Sequence, residues 1–362
     1  MMNQDELLDV VIIGGGPAAY SASLYTARYR LKHVVFEGTE AGGQLLKTTH
    51  IENYPGVGKC NGYELVIGMP AETKEANRKE EGVVQGSLNG DDSKARANFV
   101  TGFRSDALDQ GAQIISETVT RLDLQTRPFI VYYGEGKQVR THSLILATGA
   151  IPRQLVMPSN PKDRPFFNLL TCAVCDGRLP HFKNRAVAVL GGGDSACEDA
   201  IFLAKTSFPV YLIHRSDRFR ASAVMLKRAR ETPGVVFLTH TIVVDAFYDE
   251  KYEPIDSAGK KKTKLNAFNA LRLRGPNAER DLPVSGLFFA IGHDPATALV
   301  KGQLDLTPEG YIKIIPGTET ATSIEGVAGA GDCQDSKYRQ AVRAISSGCE
   351  AAFNINRYLL EH

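Results

Sequence analysis

A chain of 362 residues, 43% hydrophobic and 23% charged, is long for one core and predicts about two domains. Its formal net charge of +1 gives no electrostatic pull toward nucleic acid or an anionic membrane. No apolar run approaches the roughly 18 residues that span a bilayer, and the acidic start Met1-Met2-Asn3-Gln4-Asp5-Glu6 has neither signal-peptide nor transit-peptide character, so a cytoplasmic enzyme is expected. In that setting the six cysteines are expected to be reduced, catalytic or merely buried, not a disulfide framework.

The first strand is Asp9-Val10-Val11-Ile12-Ile13, a β-branched run suited to a buried parallel strand. It enters Gly14-Gly15-Gly16-Pro17-Ala18-Ala19, which fits G-x-G-x-x-A. Gly14 permits the tight turn, Gly16 lets backbone approach a pyrophosphate, and Ala19 lets helix pack on strand. The helix, Ala18 to Arg30, offers its N-terminal amides to phosphate. A second strand, His33 to Phe36, ends at Glu37, 23 residues after Gly14. A carboxylate there suits two ribose hydroxyls and repels a 2′-phosphate, so FAD or NAD is expected at this site. A glycine fingerprint alone is also an ordinary strand–turn–helix; strand, helix and acid in register favour the dinucleotide.

Gly42-Gly43-Gln44-Leu45 and Glu52-Asn53-Tyr54-Pro55-Gly56 follow. They are plain turns or, through Gly42, Gln44 and Asn53, hydrogen-bonding loops for an isoalloxazine ring. Pro70 to Lys94 is polar and aperiodic and reads as a solvated surface loop. Helical patterning resumes at Phe99 to Leu108. Strands are expected at Gln113 to Ser116, Thr118 to Leu122, Phe129 to Tyr133 and Ser143 to Ala147. The last runs into Thr148-Gly149, where the first domain hands over to the second.

Thr171-Cys172-Ala173-Val174-Cys175-Asp176-Gly177 places two thiols three positions apart, with a carboxylate directly after the second. Zinc is the alternative to redox chemistry, but it needs four ligands and only His181 is nearby, so no metal is expected. The strand Ala186 to Leu190 then enters Gly191-Gly192-Gly193-Asp194-Ser195-Ala196, again G-x-G-x-x-A. The next strand, Val210 to Ile213, ends in His214-Arg215, with Arg218 and Arg220 close behind. A cationic cluster at the ribose position accepts a 2′-phosphate, so NADPH is expected here. Two such sites with a Cys-x-x-Cys between them imply a relay: NADPH gives hydride to a flavin, and the flavin reduces a disulfide.

These motifs, with Ala147-Thr148-Gly149-Ala150, Ala290-Ile291-Gly292-His293-Asp294-Pro295, Gly331-Asp332 and Tyr338-Arg339-Gln340-Ala341, run in order over nearly the whole chain. The chain resembles the low-molecular-weight thioredoxin reductases, the NADPH- and FAD-dependent type. The resemblance implies an α/β homodimer of two Rossmann-like, three-layer domains, with an NADPH domain (153–288) inserted into a discontinuous FAD domain (1–152 and 289–362). It implies that Cys175 takes electrons from FAD and that Cys172 attacks the disulfide of thioredoxin, with Asp176 as acid/base. It also places Asp332, Arg339, Gln340 and Ala341 against FAD, assigns Gly193, Asp194, Ser195, His214, Arg215 and Arg220 to NADPH, and puts hinges near Ile151-Pro152 and Phe289-Ala290.

Three features depart from the family. Ser216 stands where a second arginine is usual, Pro70 to Lys94 is longer than its counterpart, and Asp249 to Lys262 is a charged stretch expected to be a hairpin turn. Two alternatives stay open. A flavoprotein reductase of a peroxiredoxin system would carry an extra N-terminal dithiol domain, whereas the FAD strand here starts at Asp9. A dinucleotide-binding protein without turnover would not use the dithiol.

Overall fold

The computed structural model describes residues 6–47, 51–57, 60–68, 102–163, 165–252 and 266–362. The polar stretch Pro70 to Lys94 and most of the charged stretch ending at Lys262 lie outside the described residues. The chain divides into two compact units, Met1–Ile151 with Asp294–His362, and Pro152–His293.

In the first unit β1 (Leu7–Ile13) leads into α1 (Pro17–Arg28), whose proline at the first helical position suits a helix start. The chain then runs through β2 (His33–Phe36), a 3₁₀ turn (Gly43–Lys47), α2 (Gly62–Val66) and α3 (Phe103–Asp109). A capping box between Asn61 and Glu64 fixes the start of α2. Strands β3 (Gln113–Ile115), β4 (Val119–Asp123), β5 (Phe129–Tyr133) and β6 (Lys137–Leu146) complete this pass, and β7 (Ala150–Pro152) is the crossing.

The second unit contains β8 (Leu169–Leu170), α4 (Ala173–Asp176), β9 (Val187–Gly191), α5 (Asp194–Leu203), β10 (Val210–Ile213), α6 (Ala223–Glu231) and β11 (Val235–Leu238). The strands β12 (Ile242–Phe247), β13 (Ala270–Arg274), β14 (Glu279–Pro283) and β15 (Leu287–Ala290) follow. The return crossing β16 (His293–Pro295) pairs with β7, and β17 (Val327–Gly329) and α7 (Ala341–Glu361) close the chain in the first unit.

The first unit's sheet has the order β3-β2-β1-β6-β5-β4, with β17 also on β6. β6 serves two neighbours on one edge because it is long: Lys137 to Thr141 pair antiparallel with β5, and Leu144 to Leu146 pair parallel with β17. Its burial follows that division, alternating through Val139 and Thr141 before becoming continuous. The expected strand at Ser143 to Ala147 is therefore only its buried end. Val10, Ile12, Val35 and Ile145 pack on α1 and α7, while Val11, Ile13, Val34, Phe36 and Leu144 pack on the other side with Phe129 and Val131. A strand covered on both faces reads as an unbroken apolar run, which is why β1 looks as it does.

The second unit repeats the plan. Its parallel sheet has the order β11-β10-β9-β15-β8. Val187, Val189, Val210 and Leu212 face the helices, and Ala188, Leu190 and Ile213 face the core that Val243, Ala246, Leu271 and Leu273 of the β12-β13-β14 sheet help to form. The expected domain boundary between 288 and 289 falls inside β15. Leu287 to Ala290 complete the parallel sheet against β9, so this unit extends to His293. Among the described residues, no helix is long and apolar enough to cross a membrane.

Candidate active site

The two glycine turns have the same construction. A Cβ on Gly14, at φ +142, would lie 2.1 Å from the Ala147 carbonyl oxygen, and one on Gly191 would lie 2.4 Å from that of Ala290. Each first glycine is thus required by a neighbouring strand end. The third glycines differ. Gly16 (φ −105, ψ −177) and Gly193 (φ −100, ψ −178) are ordinary extended N-caps, and no described atom lies within 4 Å of a Cβ built on either. Nothing in the fold around them demands glycine. Each leaves a cradle that a side chain would fill, at the N-terminus of α1 or α5, where backbone amides attract phosphate. Pro17 and Ala18 open α1, and Asp194 and Ser195 open α5.

The middle glycine links each turn to the residue after the next strand. A Cβ on Gly15 would meet the Glu37 carbonyl oxygen at 2.5 Å, and one on Gly192 the His214 ring at 2.4 Å. Their carbonyls are bound in parallel ways as well. Gly42 N–H donates to Gly15 O at 2.6 Å, and Arg220 N–H donates to Gly192 O at 2.7 Å. Glu37 and His214 are therefore equivalent positions, and the difference between acid and base is a difference between two otherwise similar sites.

Glu37 is held more tightly than its sequence position indicates. Tyr20 Oη and Arg104 Nε donate to Oε2 at 2.7 and 2.8 Å, and Ser116 Oγ and Arg104 Nη2 donate to Oε1 at 2.6 and 2.9 Å. Its side chain is 1% exposed. Burial pushes this carboxyl up, but the hydrogen bonds from Arg104, Ser116 and Tyr20 outweigh it and hold Glu37 below the usual carboxylate range. The expected open acceptor for ribose hydroxyls is thus a carboxylate with its acceptor directions already used. Asp194 Oδ1 accepts from Ser222 N–H at 2.8 Å and from Ser222 Oγ at 3.0 Å. His214 tilts against Phe219, whereas Arg215 and Arg220 are exposed.

The C-terminal segment comes to the first glycine turn. A Cβ on Gly331 would touch that of Ala18 at 2.9 Å, and Ser347 Oγ accepts from Gly331 N–H at 2.8 Å. Asp332 follows in a 3₁₀ turn, and burial raises its carboxyl to about 6, with Asp335 adding to the shift. Gln334 Nε2 is buried with no hydrogen-bond partner among the described residues. Asn53 Nδ2 donates to Gln340 Oε1 at 3.2 Å, bringing the Asn53 loop to the start of α7, where Gln340 is the N-cap and Ala341 the first residue. Arg339 sits at φ +48 with its amide toward Asp335. Gly42 and half-buried Gln44 lie at the 3₁₀ turn, with Gly43 packed on Gly16.

Cys172 and Cys175 form a disulfide with Cα atoms 5.3 Å apart. Cys172 is the N-cap of α4, and its Sγ accepts from Cys175 N–H at 3.1 Å. A donor on sulfur stabilises a thiolate there. Gly177 sets α4 against α5, since a Cβ on it would meet Ala173 O at 2.5 Å and Leu203 Cδ2 at 2.6 Å. Asp176 is 7% exposed, and burial raises its carboxyl to about 6. The folded oxidised protein therefore keeps a proton that the unfolded chain releases near 4. Stability from this group is full at low pH and is lost as the pH rises through 6. Asp176→Asn lacks that loss, so it should gain about 3 kcal/mol on the wild type between about pH 4 and 6 and then stay level. Urea denaturation across that range measures it, and a constant difference contradicts it. The other cysteines, Cys60, Cys197, Cys333 and Cys349, are free thiols.

The model of the pyridine nucleotide-disulphide oxidoreductase family matches residues 8–348. The chain is 39% identical to the mitochondrial thioredoxin reductase 2 of Saccharomyces cerevisiae, over 97% of this chain and 91% of that one. With the thioredoxin reductase of Yarrowia lipolytica it shares 40% identity over 97% and 98%. Among solved structures it is similar to the thioredoxin reductase of Giardia duodenalis, with a TM-score of 0.77, 31% identity, and 98% and 100% coverage. With its two Rossmann-like units and a disulfide between their glycine turns in the sequence, the chain belongs to the pyridine nucleotide-disulphide oxidoreductases and, within them, to the thioredoxin reductases.

Proposed function

We propose that this protein is an NADPH-dependent thioredoxin-disulfide reductase in which the Cys172–Cys175 pair carries electrons to thioredoxin. The observation that supports it most is the disulfide on α4, in a chain with two open glycine cradles of matching geometry. When bound, NADPH supplies a hydride and FAD relays its electron pair to the disulfide. In the first unit Gly14, Gly16, Pro17 and Ala18 would hold the pyrophosphate of a bound FAD, and Glu37 would stand toward its ribose. Gly42, Gln44, Asn53, Asp332 and the Arg339-Gln340-Ala341 segment surround the rest, together with Gln334, whose buried donor fits a ring acceptor. In the second unit Gly193, Asp194 and Ser195 would hold the pyrophosphate of a bound NADPH, and His214, Arg215 and Arg220 would take its 2′-phosphate. The paired crossings β7 and β16 are the hinges of this reading.

Once the disulfide has taken two electrons, the Cys172 thiolate attacks a sulfur of the thioredoxin disulfide, forming a mixed disulfide and expelling a thioredoxin thiolate. The Cys175 thiolate then attacks Cys172 Sγ, restoring the Cys172–Cys175 bond and releasing the dithiol. The acid/base role in this reading falls to Asp176, whose carboxyl burial raises to about 6. The amide donor on Cys172 Sγ favours that sulfur as the attacking thiolate. A homodimer belongs to this reading and is supported by exposed Tyr29, Val342 and Phe353 on the first unit. So does the cytoplasm, one of the reducing compartments that the four free thiols fit. Steady-state reduction of thioredoxin with NADPH and with NADH tests the whole. NADPH should exceed NADH in kcat/KM by at least about tenfold, and no thioredoxin reduction, or equal use of both nucleotides, overturns it.

A further inference from the structure

Loop 214–222 of the second unit carries Arg215, Arg218 and Arg220, all exposed and with no ion pair among the described residues. Exposed arginines on a free loop would lose much of their affinity to side-chain and backbone entropy. This loop is not free. Phe219 packs against His214 at 4.8 Å and Phe237 at 5.6 Å between ring centroids. Arg220 and Ala221 N–H both donate to Gly192 O, at 2.7 and 3.1 Å. Ser222 then binds Asp194 Oδ1 through both its amide and its hydroxyl. Ser216, where a further arginine would be usual, has its hydroxyl occupied by Arg218 N–H and O, both at 3.3 Å, so it shapes the loop and carries no charge.

We propose that Asp194 and Ser222 form a clamp that fixes the arginine loop to the glycine turn, and that selection of the 2′-phosphate depends on it. Both are positioning residues that act through Arg215 and Arg220. Asp194 opens α5 and Ser222 caps α6, so one contact ties together the phosphate cradle, the basic loop and the following helix. With one arginine fewer than usual, discrimination rests on holding the remaining ones in place. The inference rests on the reading of the second unit as the NADPH site.

Its test is equilibrium binding of adenosine 2′,5′-bisphosphate and of AMP to the FAD-loaded, full-length protein by calorimetry. Wild type should bind the bisphosphate more tightly than AMP. Asp194→Ala removes both bonds of the clamp and should lower the ratio of bisphosphate to AMP affinity about tenfold, whereas Ser222→Ala keeps the amide bond and should lower that ratio by less. The double variant should be no weaker than Asp194→Ala, because Asp194 Oδ1 accepts both bonds. Ser222→Thr, which keeps the hydroxyl, should restore wild-type discrimination. If wild type does not distinguish the two nucleotides, the NADPH reading of this unit fails. If wild type distinguishes them but the alanine variants still do so equally well, or lose AMP as much as bisphosphate, the clamp is overturned.

Discussion

Replacing Cys175 with serine is expected to abolish thioredoxin reduction while NADPH still bleaches the flavin. Without the second sulfur the 172–175 bond cannot form, so the chain has no acceptor for the electron pair and no group to resolve a mixed disulfide. Turnover should fall on the order of a thousandfold or more. The Cys175 amide that donates to Cys172 Sγ is backbone and survives the change. Cys172 therefore stays a competent thiolate and should be trapped on thioredoxin as a covalent adduct, visible by mass and cleared by added dithiol. Cys172→Ser should give no adduct. Native turnover in Cys175→Ser, or adduct formation through Cys175 in Cys172→Ser, contradicts the assigned roles.

Gly348→Ala should be the most damaging single methyl group at the crossing of α1 and α7. α7 crosses α1 at this residue, and a Cβ there would lie 2.2 Å from Ala18 O and 3.1 Å from Ala22 N. Both are helix backbone and cannot rotate aside. The small neighbours Ala18, Ala22, Ala351 and Ala352 line the same crossing, so the helices are already as close as their side chains permit. Separating them should cost about 3 kcal/mol or more in chemical denaturation. Ala18 also belongs to the glycine turn and touches the Gly331 turn that carries Asp332. The purified variant should therefore have lost flavin, while its second unit still binds adenosine 2′,5′-bisphosphate. Full flavin content with wild-type stability contradicts this account of the crossing.

The two glycine turns were legible in the sequence because what forces them is local: a strand end, a left-handed or tightly packed glycine, and a helix start within a few positions. The equivalence of Glu37 and His214 was legible for the same reason, since each immediately follows the second strand of its unit. What binds those residues was not. Arg104 reaches Glu37 across 67 positions and Ser222 reaches Asp194 across 28, and no local pattern marks either pairing. A partial signal was present at Ser222, a helix N-cap serine directly after the last arginine of the loop. α7 was not predicted, although Ser347, Gly348, Ala351, Ala352 and Ile355 recur at helical spacing on its buried face. The long β6 escaped notice because its first half alternates and its second half is fully buried, so neither pattern alone spans it.

The measurement that tests the central claim most directly is an anaerobic titration of the FAD-loaded protein followed by its flavin absorbance. NADPH should bleach the band, and excess oxidised thioredoxin added afterwards should restore it, with two thioredoxin dithiols formed per flavin because the Cys172–Cys175 dithiol is reoxidised as well. Bleaching without recovery on thioredoxin, or recovery that persists in Cys175→Ser, would show that the Cys172–Cys175 pair does not carry the electrons.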